Sequence, residues 1–408
     1  MTITTYIIIG ITAVIILLLA AVGVTRPRRR RDLQSHYTEG LDHLLRGNLK
    51  QAYQCFKRVI ERDTDHVSAY LKLGQVMRQG GAADRALKLH ESLLARTNLT
   101  TYERMELFKE LAMDHSDLGQ YVQAVERAQS ILKLEKRNAW ALRQIVWFCR
   151  QLGDWESTGK YLAQWQKAAK KEDTRLLAYC RFRQGYDQRE EQSPSAIREH
   201  YRQALKIDET FAPAQYFLAK TYADEALAGR RELEATERSD TPTTSKQRQE
   251  LEEKVAKLYS KAVAYWTAFV ESSPGDTHLV LPFVEDTLFY LNRFDDVEPF
   301  LQQILEKEPG NLDSVAGLAN FYVRRGNVNR AEQLLSTISA DAAKSPLIRA
   351  IQLKLDYRRA SNQNLMPELD RLVDSIRLQA NVQIVPPETR RSLMSWLDPS
   401  SDPLENLE

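Results

Sequence analysis

From residue 33 onward the chain alternates apolar stripes with polar stretches, and the stripes keep a helical spacing. Ala52, Phe56 and Val59 stand at offsets 0, 4 and 7. The triplet returns as Ala86, His90, Leu93, then Ala124, Ala128, Ile131, then Thr158, Leu162, Trp165. It continues as Ile197, Tyr201, Ala204, then Ala262, Trp266, Phe269, then Val297, Leu301, Ile304 and finally Ala331, Leu335, Ile338. Those offsets share one face of an α-helix, so each triplet predicts a helix with a single buried stripe. Ahead of the triplets runs a position held mostly by small residues: Gly40, Gly74, Ala112, Val146, Gly185, Ala219 and Ala319. It predicts a partner helix that approaches closely where side-chain bulk is missing. Gly47, Gly81, Gly119, Gly153 and Gly326 fall between the two helices of a pair, where a left-handed cap suits glycine. Strand-like alternation is nearly absent, and the fold class read from the pattern is all-α.

Gly40 and Gly74 are 34 residues apart, as are Gly47 and Gly81, and Ala52 and Ala86. A 34-residue helix–turn–helix period with small residues at fixed offsets resembles the tetratricopeptide repeat, whose units stack into a superhelical solenoid. About eight repeats fit within 33–345. A four-residue insertion near Leu99–Glu103 precedes the third repeat. An excursion at 229–254, GRRELEATERSDTPTTSKQRQELEEK, interrupts the sixth. Its flanks have helical composition and SDTPTTS reads as a turn. Two readings stand: helices extended past the stack with a solvated loop, or a protrusion that docks a partner. Residues 346–384 are expected to supply capping helices, and 385–408 a polar, disordered tail.

The N-terminus follows a different pattern. Ile3 to Val24 holds no charged side chain, and 22 helical residues reach about 33 Å, enough to cross a hydrocarbon core. Arg26, Arg28, Arg29, Arg30 and Arg31 follow the apolar run rather than precede it. A cleaved signal peptide would want the reverse order and a small-x-small cleavage site, so residues 1–25 read as a retained transmembrane signal anchor and 26–32 as a basic juxtamembrane segment. The positive-inside rule then puts the N-terminus outside and the repeats in the cytoplasm, at a bacterial inner membrane.

Charge and cysteine usage narrow the function. The formal net charge is +2, and without the five juxtamembrane arginines the remainder carries −3, which leaves no basic field for nucleic-acid binding. Cys55, Cys149 and Cys180 are isolated and no CxxC occurs, which excludes a four-thiolate metal site. The seven histidines are dispersed; His36 and His43 are seven apart on one helix, and His90 and His115 sit at repeat framework positions. All read as core or surface histidines. There is no GxSxG, P-loop, GxGxxG or HExxH, so no catalytic residue, metal, cofactor or small-molecule substrate is assigned.

What remains is a surface. In such repeats the first helices line the concave groove. The matching positions here are Lys109, Arg143, Trp147 and Arg150, then Phe182, Tyr186 and Arg189, then Tyr216 and Lys220. Aromatics and arginine forks suit an acidic or C-terminal peptide segment of a partner protein. The competing reading is that the aromatics pack between repeats and the cations are solvated.

Particular stretches extend the likeness. Tyr37-x-x-Gly40 with Leu44-Leu45, Asp63-Thr64, Leu71-x-Leu73-Gly74, Asp84-Arg85-Ala86, His90, Leu99-Thr100, Leu111-Ala112-x-Asp114 and Gly119-x-Tyr121, together with the anchor, resemble the bacterial lipopolysaccharide assembly protein B family. The resemblance implies a cytoplasmic-face adaptor. It would link the membrane protease FtsH to control of the deacetylase that commits lipid A synthesis, and so restrain lipopolysaccharide production. That family carries a rubredoxin-like metal domain with two CxxC pairs, whereas this chain has no cysteine after Cys180. The leading reading is a membrane-anchored adaptor without enzymatic activity; the alternative is a scaffold for assembly of another envelope complex.

Overall fold

The computed structural model describes residues 32–238, 245–339 and 345–359, with positions 343, 367, 370, 373 and 404 besides. The apolar span at 3–24, the basic segment beside it and most of the 346–384 and 385–408 expectations lie outside them. Among the described residues no helix is long and apolar enough to cross a membrane. Helix follows helix throughout, and the packing divides the chain into two compact units, Met1–Glu172 and Asp173–Glu408.

The first unit is built of hairpins. Helix α1 covers 32–45, followed by α2 (Leu49–Arg62), α3 (Val67–Gln79), α4 (Ala83–Leu94), α5 (Thr101–Asp117), α6 (Tyr121–Leu134), α7 (Ala139–Gln151) and α8 (Trp155–Ala169). Each helix packs on the next in sequence, and α3 also packs on α5. The turns within a hairpin follow one design. Gly81 adopts φ +82°, which lets the Ala82 N–H reach back to the Met77 carbonyl at 2.9 Å and cap the end of α3. The same bond recurs from Asn48 to His43, Gln120 to His115 and Asp154 to Cys149. The insertion before α5 is a helix start: Thr100 Oγ1 accepts from the Glu103 N–H at 3.2 Å, while the Thr100 N–H donates to Glu103 Oε2 at 2.9 Å.

The apolar triplets form the core as their spacing predicts. All are buried except Ile338, which is half-buried beyond the end of its helix, and the small positions from Gly40 to Ala319 are buried too. Glycine at a crossing is a steric requirement. A Cβ on Gly74 would lie 2.2 Å from His90 Nε2, and one on Gly40 2.8 Å from the Phe56 ring. His90 therefore takes the place in the second hairpin that Phe56 takes in the first.

A histidine there brings a polar network into the core. His90 Nδ1 lies 2.5 Å from Asp114 Oδ2 and Nε2 lies 3.2 Å from the Leu71 carbonyl, both partners being acceptors. Arg78 Nε stands 3.3 Å from Asp114 Oδ1, and Arg78 Nη2 donates to Glu110 Oε2 at 2.7 Å. The network joins α3, α4 and α5. Burial pushes the Glu110 carboxyl up, against the pull of Arg78, His90 and Lys72. His90 and Asp114 are fully buried, so removing one partner strands a charge in the interior.

The second unit runs through α9 (Thr174–Asp187), α10 (Pro194–Ile207), α11 (Ala212–Arg238), α12 (Ser245–Ser272), α13 (Leu281–Tyr290), α14 (Val297–Lys307), α15 (Leu312–Arg324), α16 (Val328–Leu335) and α17 (Pro346–Arg359). The excursion is largely a continuation of α11 and α12, which are 27 and 28 residues long. Their extended ends bury Ala226, Leu233, Val255 and Tyr259 against one another, so this part has a core of its own. Between α13 and α14 the left-handed turn falls to Asn292 (φ +57°) in place of glycine, with the Arg293 N–H bonded to the Leu288 carbonyl at 2.8 Å. Lys354 on α17 is fully buried; its Nζ donates to Asn320 Oδ1 at 2.8 Å and pairs with Asp370.

Two stability predictions follow from the crossing and its network. Asp114→Ala should lower unfolding stability by about 3–5 kcal/mol in a urea titration, because it leaves the Arg78 and His90 donors without their buried acceptor. Gly74→Ala should cost about 1–3 kcal/mol through displacement of His90. Gly310→Ala, where a Cβ meets nothing within 4 Å, should stay within about 0.5 kcal/mol of the parent.

Candidate functional site

The sequence-predicted surface residues fall on first helices of hairpins, or in Arg189's case just beyond one, four in the first unit and five in the second. In the first unit Arg143, Trp147 and Arg150 occupy offsets 0, 4 and 7 of α7, so they share one face, and Lys109 comes from α5. All four are half-buried. Lys109 Nζ donates to Glu106 Oε1 at 2.6 Å and sits 5.7 Å above the ring centre of Trp140 on α7. Trp147 meets Tyr121 edge-on at 5.6 Å and Phe148 at 5.5 Å. Its ring thus shares duty between packing and surface. Arg143 and Arg150 both have interactions within the protein.

In the second unit the expectation needs one correction. Phe182 is fully buried and lines no groove. Its ring stacks on Tyr201 at 5.4 Å and meets Phe211 at 5.8 Å and Phe217 at 5.5 Å, which makes it the centre of an aromatic core joining α9, α10 and α11. Phe182 stands three residues before the buried Gly185, the same offset that the half-buried Arg143 has from Val146; what differs is the side chain, an apolar ring that packs among Tyr201, Phe211 and Phe217. Tyr186 is half-buried, edge-on to Phe217 at 5.0 Å, and the Arg189 guanidinium covers its other side at 4.1 Å. Arg189 lies just beyond α9; it donates to the Tyr186 carbonyl at 2.7 Å and remains exposed. Tyr216 packs on Phe217 and Phe269, and burial, then the Asp224 charge, pushes its hydroxyl up. Lys220 is exposed and pairs with Asp224 at 3.3 Å.

Exposed or half-exposed cations and aromatics therefore remain on both units, and Lys109, Arg189 and Lys220 each have a carboxylate close by. Such surface pairs are worth about 0–1 kcal/mol each, so an incoming carboxylate that makes a bidentate arginine contact can displace them. The surface suits an acidic segment on these grounds.

Phe289 on α13 belongs to the same set and was not recognised from sequence. It is 66% exposed and packs edge-on to Phe294 at 4.8 Å, while Phe283 on the same helix is 53% exposed and stacks on Trp266 at 5.9 Å. Phe289 stands three residues before the left-handed Asn292, as Arg150 stands three before the left-handed Gly153. The turn was the available signal; Asn292, in place of the glycine that marks it elsewhere, concealed it.

The four-thiolate centre associated with the resembling family has no ligands in this chain. The three cysteines are buried on three different helices, α2, α7 and α9. Burial, then the Asp154 carboxylate, pushes the Cys149 thiol up to about 12, which keeps it an unreactive core group.

Comparison with known proteins extends these observations. Residues 288–355 match the tetratricopeptide repeat family. Lipopolysaccharide assembly protein B of Escherichia coli K12 is 27% identical over 124 residues, 30% of this chain and 32% of that protein. The Haemophilus influenzae protein of the same name is 27% identical over 198 residues, 46% of this chain and 49% of that one. The matches thus span a third to a half of these relatives' length. Among solved structures, crystalline MamA is 14% identical, covering 44% of this chain and 92% of that one with a TM-score of 0.33. Among its described residues the chain is helical, it matches the tetratricopeptide repeat family over 288–355, and it is similar, over part of its length, to lipopolysaccharide assembly protein B.

Proposed function

We propose that this chain is a membrane-anchored adaptor that holds partner proteins against the first helices of its hairpins and carries out no chemistry of its own. The observation that carries the reading is the register of α7, which sets Arg143, Trp147 and Arg150 on one face outside the apolar stripe. Lys109 beside them, and Tyr186, Arg189 and Lys220 in the second unit, add groups of the same chemistry. The similarity to lipopolysaccharide assembly protein B supports the envelope as the setting. The finer reading is restraint of lipopolysaccharide synthesis through regulated proteolysis, with a membrane protease such as FtsH and lipid A enzymes as neighbours. Support for the anchor is the uncharged run at 3–24 followed by five arginines, which gives a single pass with the repeats in the cytoplasm.

Proximity labelling from the full chain in native membranes separates the finer reading from its alternative. Protease and lipid A enzymes among the labelled neighbours uphold regulation; envelope assembly proteins in their place assign the chain to assembly. For the surface itself, Arg143→Glu with Arg150→Glu should reduce capture of those neighbours about tenfold or more in a pull-down. Unchanged capture by a folded double variant removes the α7 face from the account. For topology, a reporter active only outside the cytoplasm, fused after Glu408, should be silent; an active one reverses the orientation.

A further inference from the structure

The first hairpin brings together three side chains with metal-ligating chemistry. Glu39 and His43 are four apart on α1 and so lie on one face, one turn from each other. Gly40 stands beside Glu39, and its missing Cβ lets the Phe56 ring settle against α1. That close approach carries Cys55, the residue before Phe56, onto the Glu39–His43 face. A carboxylate oxygen of Glu39, a ring nitrogen of His43 and the Sγ of Cys55 all lie within 4.8 Å of one another. His43 Nε2 and Glu39 Oε1 are 3.9 Å apart.

These distances fit one kind of ion. Zinc binds imidazole nitrogen and carboxylate oxygen at about 2.0–2.2 Å and thiolate at about 2.3 Å, so donors around a tetrahedral centre stand about 3.3–3.8 Å apart. The Glu39–His43 separation is within about half an ångström of that range, and the remaining donors need to close by about 1 Å. Glu39 supplies the adjustment, since its side chain is half-exposed and able to rotate. Cys55 is held in place by burial. A mixed nitrogen, oxygen and sulfur set is borderline in softness, which favours zinc over magnesium or calcium.

Two further ring nitrogens lie beside these donors. The Nδ1 atoms of His36 and His43 are both buried and have no hydrogen-bond partner. Neither is the ligand atom: His43 meets Glu39 through Nε2, and His36 Nδ1 has only a long contact to Glu39. His36 Nδ1 faces the other Glu39 oxygen at 3.5 Å, the position from which a histidine orients a ligating carboxylate.

We infer that Glu39, His43 and Cys55 form a zinc-class site that staples α1 to α2, with His36 positioning Glu39 and water at the fourth coordination place. Binding replaces the Cys55 S–H bond with a metal–thiolate bond and releases the proton to solvent. The ion bridges the two helices of the first hairpin, the one that follows the apolar N-terminal run.

The test uses the full chain in detergent, stripped with chelator and kept reduced, then titrated with Co²⁺. The expected result is one equivalent bound with a thiolate-to-cobalt charge-transfer band in the near ultraviolet, displaced by Zn²⁺. Cys55→Ser should abolish the band, and Cys149→Ser should retain it. His43→Gln and Glu39→Gln, at more accessible positions, should each weaken Zn²⁺ binding roughly tenfold or more, and His36→Gln less, with helical circular dichroism unchanged. A band that is absent from the parent or survives Cys55→Ser overturns the assignment. So does Zn²⁺ affinity that is the same in folded His43→Gln and the parent.

Discussion

Two helices of a hairpin bring their axes within 8–10 Å only where the side chain at the crossing makes room. In the first hairpin that room is Gly40 under Phe56, and in the second Gly74 under His90. The short turns then fix how far each helix runs before it reverses, through a bond from the residue after the left-handed position to the carbonyl five residues back. Close crossing and fixed reversal together decide which residues of the first helix face inward. The outward face, where Arg143, Trp147 and Arg150 stand, is what remains. The candidate surface is therefore a consequence of the packing and changes register with it.

The same crossing explains why the core tolerates charge. His90 fills a slot that Phe56 fills elsewhere, and its two ring nitrogens meet Asp114 and the Leu71 carbonyl. Arg78 and Glu110 complete a network across α3, α4 and α5. Replacing such a network with apolar residues of like volume is often neutral or better, whereas removing one member is costly. Its contribution is to fix the relation of one hairpin to the next, since α3 and α5 belong to consecutive hairpins. The first hairpin has no such network; there the Glu39, His43 and Cys55 cluster occupies the neighbouring face.

Much of the helical framework was legible in the sequence, because apolar periodicity and small-residue spacing report directly on burial. Ala52, Phe56 and Val59 could be placed on the buried face from spacing alone. What spacing does not report is the partner of a polar residue. His90 and Asp114 are 24 apart, and only the fold shows that they touch. The same holds for Glu39, His43 and Cys55, where the sequence showed two histidines seven apart and an isolated cysteine. At the candidate surface Tyr186 stays half-buried and Arg189 and Lys220 exposed, while Phe182, at the register of Arg143, is buried because its ring is apolar. Phe289 escaped notice because the turn that follows it carries Asn292 rather than glycine. At Asn292 the turn kept its geometry while losing its glycine.

If partners dock on the first-helix faces, the outer faces of the second helices are left to solvent. Site-specific photocrosslinking in native membranes tests this directly, with a photoreactive amino acid in place of Arg143 or Lys220, and for comparison in place of the exposed Gln164 on α8 or Lys206 on α10. Crosslinks to a discrete partner from Arg143 and Lys220, and none from Gln164 and Lys206, are the predicted result. Crosslinks from Gln164 and Lys206 alone, or equally from all four positions, contradict it.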